Sequence, residues 1–102
     1  MKIKYKLDKN AFYLYFVGEL DECSANATRD TIDRLFLGIN GVSRVIFNLS
    51  ELTFMDSTGI GMLIGRYKKL KQKGVKVFIE KPMAQVEKII EVSGLYQIMP
   101  KI

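Results

Sequence analysis

Apolar residues recur along this chain with two periods, and each change of period marks an element. Alternation over residues 2–7 and 12–17, around the turn cluster Asp8-Lys9-Asn10, predicts an opening β-hairpin. Gly18-Glu19-Leu20-Asp21 is expected to end the second strand. Ile32, Leu35, Phe36 and Ile39 repeat at i, i+3, i+4 and i+7, which predicts a helix over 24–37. Asn40-Gly41 breaks that helix, and 43–49 reads as a third strand. A second helix runs from about Ser57 to Gly74, a residue suited to a C′ position, and 75–79 forms a short buried strand. Pro82 stands where an N1 proline would open a third helix, which carries Met83, Val86, Ile89 and Ile90. Ser93-Gly94 stops it. Residues 98–102 are expected to form a short edge strand, because Pro100 cannot donate to a ladder. Strands alternating with helices imply right-handed βαβ units and a largely parallel sheet. The hairpin adds an antiparallel strand. The expected fold is therefore one α/β domain over 1–102, with a mixed, mostly parallel sheet and three helices.

Composition narrows the function classes. A chain of 102 residues buries roughly 60–70% of its unfolded surface in a single core. No apolar run approaches the ~18 residues of a membrane span, and the N-terminus lacks a signal-peptide core, so a cytoplasmic location is expected. Cys23 is the single cysteine and there is no histidine. An intrachain disulfide, a Cys/His zinc site and His-assisted serine or cysteine catalysis are thereby excluded. Cys23 reads as a free thiol. A hydrolase built on Ser57 would have no base to activate it, and a non-enzymatic protein without cofactor or metal is expected.

The residues from Leu49 to Gly65 break several local rules. Phe54 and Met55 are large apolar residues in what reads as a loop, where polar residues are the norm. The second helix carries Gly61 and Gly65 in its interior, each costing about 1 kcal/mol relative to alanine. On a helical wheel these glycines and Lys68 flank the core stripe of Ile60, Leu63, Ile64 and Tyr67, while Met62 points outward. That leaves a bare strip of backbone beside an exposed methionine, suited either to close packing or to docking of a partner. Its place off the core stripe favours docking. At the head of the helix stands Asp56-Ser57-Thr58-Gly59. Ser57 reads either as a plain N-cap, with Asp56 supplying a favourable charge, or as a residue that holds an added phosphate at the helix end.

The net charge of +5 concentrates at Arg66, Lys68, Lys69, Lys71 and Lys73. Arg66, Lys69 and Lys73 share the face opposite the apolar stripe, as any surface helix requires. A nucleic-acid patch is the competing reading of the same residues. An Asp56 and Lys81-Pro82 pairing also echoes phosphoaspartate receivers. The acidic pair expected after their first strand is absent, and the 25 positions between leave room for one helix and one strand.

The run from Asn48 through Phe54-Met55-Asp56-Ser57-Thr58-Gly59-Ile60-Gly61 closely resembles the signature of STAS-domain anti-sigma factor antagonists, in particular the sporulation sigma-F type. The similarity continues through Gly65-Arg66-Tyr67-Lys68 and recurs at Ser93-Gly94-Leu95. Gly18-Glu19-Leu20-Asp21 matches the family's other recurring loop. The resemblance implies partner switching. The unmodified antagonist binds an anti-sigma factor that is also a serine kinase, and so frees the sigma factor. That kinase, holding ATP in its own site, phosphorylates the serine matching Ser57, and a PP2C-class phosphatase resets it. Asp56, Thr58 and Gly59 match the motif, and Glu19 and Asp21 match an acidic loop beside the serine. With Phe54, Met55, Gly61, Met62 and Gly65 they form the expected partner-binding surface. No direct contact with nucleic acid or a membrane is expected. Glu22-Cys23 stand where close relatives frequently carry histidines, and the family commonly continues beyond the position of Ile102 into a final helix.

Overall fold

The computed structural model describes residues 1–102. Strands β1 (Lys2–Asp8) and β2 (Ala11–Leu20) form the hairpin, joined at Lys9-Asn10, with Lys9 in the left-handed region at φ 57°. There follow α1 (Ala25–Leu37), β3 (Arg44–Asn48), β4 (Leu52–Met55), α2 (Ser57–Gln72), β5 (Lys76–Glu80) and α3 (Ala84–Ser93). The main sheet runs β1-β2-β3-β5, antiparallel in its first pairing and parallel in the other two. This is the mixed α/β sheet with three helices that periodicity predicts.

Helices α1 and α2 pack on each other, α1 also against β1, and α2 also against β4 and β5. Helix α3 packs against β4. Alternate residues of the strands, among them Phe12, Leu14, Phe16, Val45, Phe47, Val77 and Ile79, meet Ile32, Leu63, Leu70 and Ile90 in one core. Phe16 and Phe47 meet edge to face at 5.6 Å, the arrangement ring quadrupoles favour. No helix is long and apolar enough to cross a membrane.

Phe54 and Met55 belong to a strand, β4, not to a loop. Strand β2 ends at Leu20, inside the expected Gly18-Glu19-Leu20-Asp21, but it does not stay on one partner to that point. It bulges at Gly18 (φ 116°), leaves β3, and continues to Leu20 in parallel pairing with β4. The bulge re-aims the strand end. It thereby sets the β2–α1 loop beside the head of α2. Residues 98–102, expected as a short edge strand, form no strand. A short 3-10 turn, Leu95–Gln97, leads into a single bridge between Ile79 and Lys101. Pro100 contributes its carbonyl, which accepts from the Ile79 N–H at 3.0 Å. Pro82 also lies one residue before the N-cap rather than at N1. The Met83 carbonyl takes the first helical bonds, from Val86 and Glu87, so the helix opens at Ala84.

The C-terminal segment is fastened by polar contacts. Glu87 accepts from the Tyr96 hydroxyl at 2.8 Å and from Lys101 Nζ at 2.6 Å. These two donors hold the Glu87 carboxyl below its ordinary 4.5, Lys101 contributing most. Burial and the adjacent Glu87 push the Tyr96 phenol well above its usual range. A carboxyl with a lowered folded-state pKa stabilises fully above its ordinary value, and that contribution fades as pH falls through the lowered one. Glu87→Gln should therefore lower the thermal midpoint at neutral pH, and the difference from the parent should vanish in acid. A scan of thermal midpoints against pH checks this.

Candidate functional site

The head of α2 is organised by Asp56, not by Ser57. Asp56 has extended backbone (φ −111°, ψ −173°) and its Oδ1 accepts from the Gly59 N–H at 3.0 Å, the geometry of an N-cap. Its Oδ2 accepts from the Glu22 N–H at 3.3 Å, and its own N–H donates to the Leu20 carbonyl at 3.3 Å. One side chain thus caps α2 and ties it to the β2–α1 loop. Reading Ser57 as the cap is corrected: Ser57 is the first helical residue. It is exposed and its hydroxyl forms no hydrogen bond within the protein. The N–H groups of Ser57 and Thr58 likewise have no acceptor. Unpaired N–H groups and the positive end of the helix dipole favour an anion at this point.

Gly59 is fixed by its surroundings. A Cβ built there would stand 2.7 Å from Met55 Cγ and 2.8 Å from the Leu20 carbonyl oxygen. Met55 is accordingly buried beneath the helix rather than presented to a partner. Phe54, its neighbour on β4, is 48% exposed and lies opposite Glu19 in the register with β2. Glu19 is exposed.

Asp21 has a local task. Its Oδ1 accepts from the Cys23 and Ser24 N–H groups at 3.0 Å each, closing the turn that starts α1. Ser24 Oγ accepts from the Asp21 N–H at 3.0 Å and donates to the Glu19 carbonyl at 2.8 Å. Leu20, whose carbonyl anchors Asp56 and abuts Gly59, was not singled out in the sequence. An apolar residue inside an acidic loop carries no periodic signal.

The flank of α2 divides differently from the wheel. Gly61 is exposed and Gly65 half-buried, and a Cβ at either would meet nothing within 4 Å. Close packing is therefore not the reason for these glycines. Met62, expected outward, is buried at 8%, and Arg66, expected on the solvent face, is 6% exposed. Helix α1 covers that side of α2, a second packing partner that a wheel drawn against the sheet alone omits. Arg66 Nε lies 3.1 Å from Asp33 Oδ1 of α1, at an angle too bent for a hydrogen bond. Lys69 donates to Asp33 Oδ2 at 3.0 Å. Burial lowers the Arg66 pKa, with Asp33 opposing and Arg29 adding to the shift. The basic face expected on α2 is thus partly consumed within the fold. Asp30 and Asp33, an i, i+3 acidic pair on α1, were the signal for this contact in the sequence.

The structure therefore brings Glu19, Phe54, Asp56, Ser57, Thr58 and Gly61 to one end of the molecule and withdraws Met55 and Met62 into its interior. No group of three His, Cys, Asp or Glu side chains is placed to hold a metal ion. Asp56, the carboxylate adjoining Ser57, is occupied by two backbone N–H groups.

Comparison with known proteins identifies the fold and the family. The chain is 29% identical over 100 residues to an anti-sigma F factor antagonist from Paenibacillus polymyxa, covering 98% of this chain and 85% of the relative. The solved structure of the anti-sigma factor antagonist SpoIIAA in its unphosphorylated form superposes with a TM-score of 0.79 at 27% identity, over 99% of this chain and 88% of that one. SpoIIAA of Bacillus in its phosphorylated form superposes with a TM-score of 0.70 at 26% identity, over 99% and 91%. The STAS domain description matches residues 2–102. The chain belongs to the STAS domain family.

Proposed function

We propose that this protein is an anti-sigma factor antagonist whose affinity for its partner is switched by phosphorylation at Ser57. One observation carries the reading. Ser57 offers an exposed, unbonded hydroxyl at the first position of a helix whose capping is done by its neighbour. The names of the relatives, and a SpoIIAA solved with and without phosphate, point the same way.

In this reading the unmodified protein docks on an anti-sigma factor that is a serine kinase and displaces the sigma factor. The kinase, binding ATP itself, forms the bond between Ser57 Oγ and the γ-phosphorus. The bond to the β-phosphate oxygen breaks, ADP leaves, and the hydroxyl proton is lost. A PP2C-type phosphatase hydrolyses the ester and restores the docking form. The chain is a substrate and regulator, not an enzyme, and acts in the cytoplasm without direct contact to nucleic acid.

The docking surface consists of Glu19, Phe54, Thr58, Gly61 and Gly65 around Ser57. Asp21, Met55, Asp56, Gly59 and Met62 hold that surface in shape. Phosphorylation adds about −1.5 to −2 charges at pH 7 to a place where a partner had met a small hydroxyl. The free N–H groups of the first turn accommodate that charge without rearrangement of the fold.

The test is a pull-down of native partners on the unmodified protein and on Ser57→Asp. Retention of an ATP-binding kinase by the unmodified form alone is expected; equal retention by both would contradict the switch. Gly61→Glu should also release the kinase while leaving the thermal midpoint unchanged or raised, since open space surrounds this position. Unaltered binding would remove Gly61 from the docking surface.

A further inference from the structure

The two faces of the main sheet are unequally covered. Helices α1, α2 and α3 bury their apolar residues in the core on the Phe12, Phe16 and Phe47 side, where Phe36 of α1 meets Phe12 edge to face. Tyr13, Tyr15, Ile46 and Phe78 alternate with the core residues of their strands, so they point to the opposite face, and they take no part in that core. Parallel strands such as β2, β3 and β5 are ordinarily covered on both faces. The register sets Lys6, Tyr13, Ile46 and Phe78 in one row across the four strands. Arg44 and Lys76 stand side by side in the row on one side of it. Lys4, Tyr15, Asn48 and Glu80 form the row on the other side. Tyr13 and Tyr15 stack at 6.4 Å, and Lys6 Nζ lies 4.9 Å from the centre of the Tyr13 ring. Ile46 is fully buried, while Tyr13, Tyr15 and Phe78 are half-buried with no helix over them.

A basic frame surrounds this apolar row. Lys2, Lys6, Arg44 and Lys76 are exposed and join no ion pair. Of the nearby carboxylates, Glu51 is paired with Lys4 at 3.7 Å and Glu80 accepts from Asn48 Nδ2 at 2.7 Å, which leaves Asp8 at one corner. We infer that this face docks an acidic amphipathic helix of a partner protein. Its apolar stripe lies on Tyr13, Ile46 and Phe78, and its carboxylates meet Lys6, Arg44 and Lys76. Three strands make the apolar row about 10 Å across, the diameter of one helix. The Tyr13 and Tyr15 hydroxyls have no partner within the protein, unlike that of Tyr96, and are free to donate to carboxylates. Nucleic acid fits this face less well. Bases stack on open ring faces, whereas Lys6 and Tyr15 crowd the Tyr13 ring. Asp8, Glu51 and Glu80 also interrupt any track for a phosphate backbone. A second copy joined face to face would bring two basic frames together, and like charges opposed across an interface are costly. The face lies across the sheet from α2, so this docking is separate from that at Ser57.

The probe is a helical peptide with leucines along one face and glutamates on both flanks, titrated into the unmodified protein and followed by amide NMR. Saturable shifts at Tyr13, Tyr15, Ile46 and Phe78 are expected, against none with the same peptide carrying lysines in place of glutamates. Lys6→Glu combined with Arg44→Glu, two exposed positions that leave the core intact, should weaken binding at least tenfold. Lys68→Glu combined with Lys73→Glu changes the net charge equally at exposed positions on α2 and should change binding less than twofold. Ser57→Asp should leave it unaltered. Shifts that never saturate, or that match for the two peptides, would overturn the site. Equal losses in the two double variants would do the same, since attraction would then come from net charge alone. Tighter binding of oligothymidylate, or of vesicles of phosphatidylserine and phosphatidylcholine, would assign the face to another class of partner. The same shifts on concentrating the free protein would assign it to a second copy, and either result contradicts the inference.

Discussion

Incubation with a serine-kinase anti-sigma factor and ATP is expected to add one phosphate to this chain, at Ser57, and Ser57→Ala is expected to accept none. The surrounding hydroxyls explain the selectivity. Ser50 Oγ is held by Asn48 Oδ1 at 2.6 Å, Thr53 by the Gly18 carbonyl at 3.1 Å, and Ser24 by the Glu19 carbonyl at 2.8 Å. A kinase would have to break each of these bonds. Ser57 is exposed, unbonded, and carried on a rigid helix end. Thr58 is exposed as well, and it lines the groove between α1 and α2 beside Arg29 and Arg66. Intact mass with fragment mapping reads the outcome. Because Ser57 is an exposed N1 residue and not the cap, its replacement by alanine should change stability by no more than about 0.5 kcal/mol. Loss of phosphorylation in a folded variant then reports on the acceptor itself. A phosphate mapped to Thr58 with Ser57 untouched would falsify the assignment.

Gly59→Ala is expected to destabilise the protein by roughly 1–3 kcal/mol, the range for forcing a methyl into a packed site. Met55 Cγ at 2.7 Å belongs to a flexible side chain and can yield in part. The Leu20 carbonyl at 2.8 Å cannot, because it is backbone and accepts the Asp56 N–H. Accommodation therefore shifts the strap between β2 and α2 on which the phosphoacceptor sits. At ~4–8 °C per kcal/mol for a domain near this size, the thermal midpoint should fall by several degrees or more. The other two glycines of α2 serve as controls. Gly61→Ala and Gly65→Ala enter open space and should each stabilise, by up to about 1 kcal/mol, through helix propensity. Differential scanning calorimetry on the three variants measures the contrast. Three equal shifts would show that the close approach at Gly59 does not matter.

The elements with many periods were legible in the sequence. The hairpin, α1, α2 and the parallel strands follow from alternation, from i, i+3, i+4 repeats or from short apolar runs bounded by turn residues. Strand β4 was not. Its four residues show buried, exposed, exposed, buried, a pattern with no alternation, since β4 joins the sheet only where β2 bulges away from β3. Met62 and Arg66 were misplaced for a related reason. A wheel assumes one packing direction, and α2 is wedged against both the sheet and α1. At the head of α2, the sequence placed the helix start within Asp56-Ser57-Thr58-Gly59 and misassigned the cap by one residue. Aspartate and serine are both strong N-cap formers, and the choice between them rests on which residue adopts extended backbone. Asp56 adopts it because its N–H and Oδ2 are bonded to the β2–α1 loop, a tertiary contact invisible in the sequence. That shift frees the Ser57 hydroxyl, on which the functional reading rests.

The central claim is that a phosphate on Ser57 abolishes docking without disturbing the fold. Calorimetric titration of the anti-sigma factor kinase with the unmodified and the Ser57-phosphorylated protein tests it most directly. At least a hundredfold loss of affinity is predicted on phosphorylation, about 2.8 kcal/mol, with the thermal midpoint of the free protein held or raised. Equal affinity for the two forms would contradict the account.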